Sequence, residues 1–270
     1  MKTNEILNLD KYTSAMQNTL LDKIWFLDKI DPNIDTIIDF GCADGSLFNF
    51  IEELFPNRFT FIGIDSSAVM IDRAIKNTAH ISQDRISFHT KLDAVTKFNL
   101  ENSILVLNSI LHELYNYLSY PVRTNILREL FTKYNFKYIA IRDMHKIEDS
   151  TFVGYPKYRI KDPAILKRKA EFDAQEYFAK TDINGLIEFL LKYSYVDNWS
   201  RECSERYLWN WSKDILNFAE DHYVLLYNAP FYLPYQLEHW VLDCEYSNKV
   251  IINTHKKMLF RRNPDAAIHN

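Results

Sequence analysis

The chain has 270 residues, enough to bury a full hydrophobic core in one large domain or in one domain with an elaborated insertion. Its 47% hydrophobic and 25% charged content is that of a globular protein, and a net charge of −4 lacks the basic footprint of general nucleic-acid binding. Three cysteines (Cys42, Cys203 and Cys244) are odd in number and far apart, which argues against a disulfide framework and predicts free thiols.

The opening MKTNEILNLDKY has no apolar run of signal-peptide type. No stretch approaches the length of a membrane span. A soluble, cytoplasmic protein without membrane contact is therefore expected. In chain order, Met16, Leu20, Ile24, Leu27 and Ile30 recur at helical spacing from Thr13 to about Ile30, and Asp31-Pro32-Asn33 stops that helix. Thr36 to Phe40 is a short apolar run ending in Gly41 and predicts a buried strand. A helix over Ser46 to Leu54, a strand over Phe59 to Ile64 and a helix over Ser67 to Asn77 follow. Strands at Ile86 to His89 and Ile104 to Leu107, a helix at Arg123 to Tyr134 and a strand at Tyr138 to Ile141 continue the rhythm. Such alternation predicts an α/β fold with a doubly wound, mostly parallel sheet.

After Asp143 the rhythm breaks. Residues 146–220 read as a mainly helical insertion interrupted at Pro156, Pro163 and Gly185. Apolar segments at His222 to Tyr232 and His255 to Phe260 flank a helix around Leu233 to Glu245, and the last strand lies near Thr254 to Arg262. The expected organisation is a helical lid (1–33), a core (34–145), the insertion (146–220), C-terminal strands completing the sheet (221–262) and a tail (263–270).

Two of the five glycines fall in Asp39-Phe40-Gly41-Cys42-Ala43-Asp44-Gly45-Ser46, between the first strand and its helix. Glycines there let the backbone turn tightly and approach a ligand, at the strand end where doubly wound sheets bind nucleotide-like molecules. The spacing is not G-x-G-x-x-G, and no Gly-Lys-Ser/Thr ending marks a phosphate loop. Taken alone, the loop suits a plain strand-to-helix turn equally well.

In its ordered set of motifs, over most of residues 12–145, the sequence resembles the class I S-adenosylmethionine-dependent methyltransferases. Their D/E-x-G-x-G-x-G motif becomes Asp39-x-Gly41-x-Ala43-x-Gly45, with alanine in place of the middle glycine. The resemblance implies a Rossmann-like fold and S-adenosyl-L-methionine as cofactor, held by the loop residues Asp39, Gly41, Cys42, Ala43 and Gly45. Asp65, followed by Ser66, stands where the family holds both ribose hydroxyls; a carboxylate accepts two hydrogen bonds from a diol. Helix capping by Ser66 or Ser67 is the local alternative. Met70 would pack near the adenine, or simply in the core. Asp93, paired with Ala94, would accept from the adenine amino group. Asn108, in Leu107-Asn108-Ser109-Ile110-Leu111-His112-Glu113-Leu114, would line the methionine side. Tyr12 and Met16 of the first helix would form a lid over the cofactor.

Methyl transfer chiefly requires alignment of acceptor and methyl group, with a base only where the acceptor loses a proton. The candidates are His112, Glu113, Asp143 and His145, at the ends of the fourth and fifth strands. His112 serves either as a base or acceptor-orienting group, or as a local loop-fixing residue. Glu113 reads as a base, an acceptor ligand or a solvated helix charge. Asp143 and His145 turn toward one pocket if their strand persists. No spaced ligand set points to a metal.

The insertion should select the substrate. Lys157, Arg159, Lys161, Lys167, Arg168 and Lys169, with Tyr155 and Tyr158, suit RNA, a phosphorylated metabolite or an acidic protein, or form a solvated face. Tyr193, Tyr195, Trp199, Tyr207, Trp209 and Trp211 line an acceptor pocket or pack the insertion. The expected function is methyl transfer to a small molecule. The alternatives are cofactor binding without turnover and RNA-directed methylation; the glycine spacing argues against a nicotinamide oxidoreductase. Oligomeric state is not legible.

Overall fold

The alternating apolar runs become a seven-stranded sheet in the order β3-β2-β1-β4-β5-β7-β6. The computed structural model describes residues 19–147, 156–175, 183–247 and 251–265. Its strands are β1 (Thr36–Phe40), β2 (Thr60–Ile64), β3 (Ile86–His89), β4 (Ser103–Asn108), β5 (Tyr138–Met144), β6 (Tyr223–Phe231) and β7 (His255–Arg262). The first five pair in parallel, with Asp39 opposite Gly63 and Val106, and Asn108 opposite Arg142. β4 and β5 are buried along their whole lengths. That is why they read as nearly continuous apolar runs rather than alternating ones.

β7 runs antiparallel to β5: the Arg262 N–H donates to Lys137 O (2.8 Å), and the His145 N–H donates to Thr254 O (2.9 Å). The expected doubly wound, mostly parallel sheet is thus present, with one antiparallel strand between β5 and β6. β6 occupies the edge, where a proline such as Pro230 is tolerated. The strand order reverses between β1 and β4, which opens a crevice at their carboxyl ends.

The helices are α1 (Leu20–Lys23), α2 (Ser46–Leu54), α3 (Ala68–Asn77), α4 (Leu111–Tyr117), α5 (Tyr120–Thr132), α6 (Pro163–Asp173), α7 (Ile183–Lys192), α8 (Trp199–Ser204), α9 (Ser212–Ala219) and α10 (Pro234–Cys244). The first helix differs from expectation: among the described residues only four keep helical form, and 24–30 continue as turns. Trp25 and Phe26 side by side break the one-face pattern; Phe26 is wholly buried, and Trp25 stacks on Tyr227 at 5.2 Å. Gly185 does not interrupt the chain but lies inside α7. Its helix penalty of about 1 kcal/mol is outweighed by burial of Leu186, Ile187, Phe189, Leu190 and Leu191. Pro163 starts α6 rather than breaking it, at a position whose N–H needs no helical partner, and Asp162 caps it.

Two compact units divide the described chain. One holds 19–143, 212–228 and 257–265, with a core that includes Phe26, Ile37, Phe48, Phe61, Ile104 and Leu259. The other draws on 144–211 and 229–256, around Leu186, Phe189, Leu208, Trp240 and Cys244. Within this second unit, the Glu188 carboxylate and the Lys192 ammonium of α7 meet at 2.6 Å with no solvent exposure. Glu188 also accepts the backbone N–H of Tyr207 and that of Leu208 (3.0 Å). Here a buried ion pair is tolerated because each charge also finds hydrogen bonds.

Candidate cofactor and active site

The loop after β1 is built on left-handed backbone, with φ of +89° at Gly41, +46° at Ala43 and +74° at Gly45. A Cβ on Gly41 would come within 2.8 Å of Ile110 Cδ1, so space as well as conformation demands glycine there. Ala43 adopts the left-handed region without that freedom. The Gly41 and Cys42 N–H groups both donate to Ile64 O, at 2.7 and 3.0 Å. The Cys42 thiol is buried, and its pKa is pushed up by burial and then by Asp39 and Asp65, which suits packing and not nucleophilic chemistry. Gly63, before Asp65 on β2, leaves room for the Phe88 ring, which a Cβ would approach to 2.5 Å.

Asp65 ties this loop to the next helix. Its Oδ2 accepts the Ala43 N–H (3.0 Å) and its Oδ1 the Ser67 N–H (2.8 Å). Burial raises its pKa against the pull of both hydrogen bonds. Ser67, not the exposed Ser66, caps α3 by accepting the Met70 N–H. Met70 is buried in α3.

Asp39 and Asn108 lie near the ends of neighbouring strands, and each leaves its Oδ1 buried without a hydrogen-bond partner among the described residues. Burial pushes the Asp39 pKa up; Lys23 opposes the shift and Asp65 adds to it. The Asn108 amide donates to Lys23 O at 3.3 Å. Lys23 is itself buried, and burial and then Arg142 lower its pKa, whereas Asp39, Asp44 and Asp22 raise it. Arg142, also buried, donates to Asp22 Oδ2 (2.5 Å) and to Ser109 Oγ (3.0 Å), and Lys257 also binds Asp22. Asp22, Lys23, Ser109 and Arg142 were not anticipated. Arg142 alone carries a signal, as a cation inside a buried parallel strand.

Asp93 follows β3 and is held through its Oδ1 alone. Its exposed carboxylate accepts from Lys133 Nζ (2.7 Å) and from Tyr134 OH (2.8 Å), both of which depress its pKa. Ala94, half-buried, sits beside it in a 3-10 turn over Leu92–Lys97. Tyr12 and Met16 lie outside the described residues, as does Tyr155 of the basic run.

Two of the four candidates for acceptor chemistry meet. Asp143 Oδ1 lies 2.9 Å from His112 Nδ1, and its Oδ2 accepts the His112 N–H at 3.2 Å, with both residues buried. An ionised carboxylate can only accept, so Nδ1 carries the proton and Nε2 keeps the lone pair in the neutral ring. Glu113 is half-buried in the first turn of α4, where a negative charge suits the helix dipole. β5 persists through Met144, beyond the expected Ile141. His145 lies in the second unit, where its Nδ1 donates to Lys146 O (2.7 Å) and its ring meets Trp211 edge to face at 5.1 Å.

The aromatic run of the second unit is tied down internally. Trp211 Nε1 donates to Met144 O (2.6 Å), Trp199 Nε1 to Glu171 (2.7 Å) and Tyr193 OH to Asp243 (2.6 Å). Among the described residues no group of three or more His, Cys, Asp or Glu is arranged to hold a metal ion, and no helix is long and apolar enough to cross a membrane.

The chain matches no known family model and no curated protein sequence. Solved structures do match. The methyltransferase domain of bacterial CtHen1-C aligns with a TM-score of 0.52 at 12% identity, over 94% of this chain and 98% of that one. The pyocyanin biosynthetic protein PhzM aligns with a TM-score of 0.52 at 11% identity, over 94% of this chain and 58% of that one. The small RNA methyltransferase HEN1 aligns with a TM-score of 0.52 at 13% identity, over 99% of this chain and 28% of that one. With the strand order, the antiparallel β7 and the loop after β1, these likenesses identify the fold: the chain has the class I methyltransferase fold.

Proposed function

We propose that this chain transfers a methyl group from S-adenosyl-L-methionine to a small-molecule acceptor that gives up a proton. The observation that carries the reading is the pair of buried, unpartnered acceptor oxygens, Asp39 Oδ1 and Asn108 Oδ1. Buried polar atoms without partners are costly, and a pair of them beside a left-handed loop suits a ligand with hydrogen-bond donors. The donor-rich amino-acid end of the cofactor fits them. Asp39, Gly41, Cys42, Ala43, Gly45 and Asn108 would hold that end, with Asp65, Ser66 and Met70 toward the nucleoside. Asp93, whose Oδ1 accepts from Lys133 and Tyr134, would turn its second oxygen, beside Ala94, toward the adenine amino group.

When bound, the cofactor supplies an electrophilic methyl group. Residues of the chain supply alignment and proton removal. Asp143 orients His112 by gripping both its ring and its backbone N–H, and Nε2 takes the proton from the acceptor as its nucleophilic atom attacks. Asp143 then stabilises the imidazolium that forms.

A small molecule is favoured over RNA by the fate of the basic run. Lys161 pairs with Glu245, Lys169 with Asp173 at 2.5 Å, and Lys167 faces Glu171 at 3.9 Å. Half of the six charges are thus answered within the chain, and beside a net charge of −4 the rest fall short of a nucleic-acid footprint. Incubation with labelled cofactor and an acceptor library, read by mass spectrometry, tests the reading. Label should reach a small acceptor and vanish in His112→Ala with cofactor affinity retained. Cofactor binding without any methylated product would favour a protein that binds without turnover.

A further inference from the structure

Lys23 has no part in the reading above, and the surroundings of its ammonium point to one. It lies 7% exposed on α1, and its carbonyl accepts the Asn108 amide at 3.3 Å. The charged groups that act on it are Asp22, Asp39, Asp44 and Arg142. Arg142 is already engaged by Asp22 and Ser109, and Lys257 also answers Asp22. Lys23 is the cation whose charge acts on Asp39. The two orphaned atoms next to it, Asp39 Oδ1 and Asn108 Oδ1, are both acceptors. An ammonium has three donors and no acceptor, so it satisfies such atoms. In an α-amino acid, that ammonium arrives with a carboxylate on the same carbon, and a buried carboxylate requires a cation.

We propose that Lys23 binds the carboxylate of the cofactor's amino-acid end, opposite Asp39 and Asn108, which take its ammonium. This rests on the cofactor reading above. The Lys23–Asp39 pair matches a zwitterion sign for sign, so binding brings no net charge into a buried site. Lys23 thus selects a ligand with a free amino-acid carboxylate over one that carries the amine alone.

The test is a cycle that crosses one side chain with one ligand group, using S-adenosylhomocysteine and its decarboxylated analogue in calorimetric titrations of the full chain. The wild type should bind S-adenosylhomocysteine about thirtyfold more tightly than the analogue, the scale of one hydrogen bond between charged groups. Lys23→Met should erase that preference while binding the analogue within about threefold of wild type. Equal weakening of both ligands in Lys23→Met, or no preference in the wild type, overturns the proposal and leaves cofactor binding intact. Failure of both ligands to bind the wild type overturns the cofactor reading itself. Should Lys23→Met not fold, proton linkage in the wild type decides. At mildly alkaline pH, S-adenosylhomocysteine should take up more proton than the analogue, because its carboxylate restores a charge that burial opposes. Equal uptake contradicts the assignment.

Discussion

At the scale of single residues, the loop after β1 shows how a substitution reads differently in sequence and in three dimensions. Ala43 looks like the mildest departure from a glycine motif, yet it sits at φ +46°. An L-residue pays on the order of 1 kcal/mol there. Ala43→Gly should therefore raise stability by up to about 1 kcal/mol in urea unfolding, against the loss of 0.5–1 kcal/mol that alanine-to-glycine changes cost in regular structure. A loss of that ordinary size would mean the strain is absent. The pairing of His112 with Asp143 makes a sharper demand. Asp143→Asn should lower kcat by about 10²–10⁴ through the wrong tautomer, with S-adenosylhomocysteine affinity unchanged. A fall in affinity without a fall in kcat would assign the pair to loop support.

Residue roles were unevenly legible from sequence. Asp39, Asn108 and His112 follow strand ends and could be placed once the strands were. Lys23 could not, because a buried charge and a surface charge look the same in one sequence. Asp93 occupies a favourable place in the chain, and Lys133 and Tyr134, some forty residues on, both bind its Oδ1. No local pattern announces that capture.

At the scale of elements, β1, β2 and β4 were readable because burial on both faces leaves unbroken apolar runs, and α2 and α3 because glycine, serine and proline mark their ends. α7 misleads for the opposite reason: Gly185, Glu188 and Lys192 make a buried helix look interrupted and polar. Lys192→Met should destabilise the chain by about 3–5 kcal/mol, by stranding the Glu188 charge, whereas Glu188→Gln combined with Lys192→Met should recover part of that loss. Additive losses in the double variant would show that the two groups do not act as a pair. Nearby on α8, burial raises the Glu202 pKa from 4.5 to about 6. A carboxyl that binds its proton more tightly when folded stabilises the protein below about pH 4.5, and that contribution disappears as pH rises through about 6. Glu202→Gln should thus match wild type near pH 4.5 and exceed it by on the order of 2 kcal/mol at pH 8. Equal stability at pH 8 would show that the charged form is already well accommodated.

At the scale of the whole molecule, the sheet order and the antiparallel β7 give a class I methyltransferase architecture. Architecture does not choose the acceptor, since folds host many chemistries. The proposed cofactor site has more behind it, because loop, strand ends and buried acceptors lie in a single unit. Calorimetric titration of the full chain with S-adenosylhomocysteine, beside a matched titration with a nicotinamide dinucleotide, measures that convergence directly. The account predicts saturable one-to-one binding of S-adenosylhomocysteine, weakened at least tenfold by Asp39→Ala, and none of the dinucleotide. Absence of S-adenosylhomocysteine binding by the folded chain, or tighter binding of the dinucleotide, would contradict it.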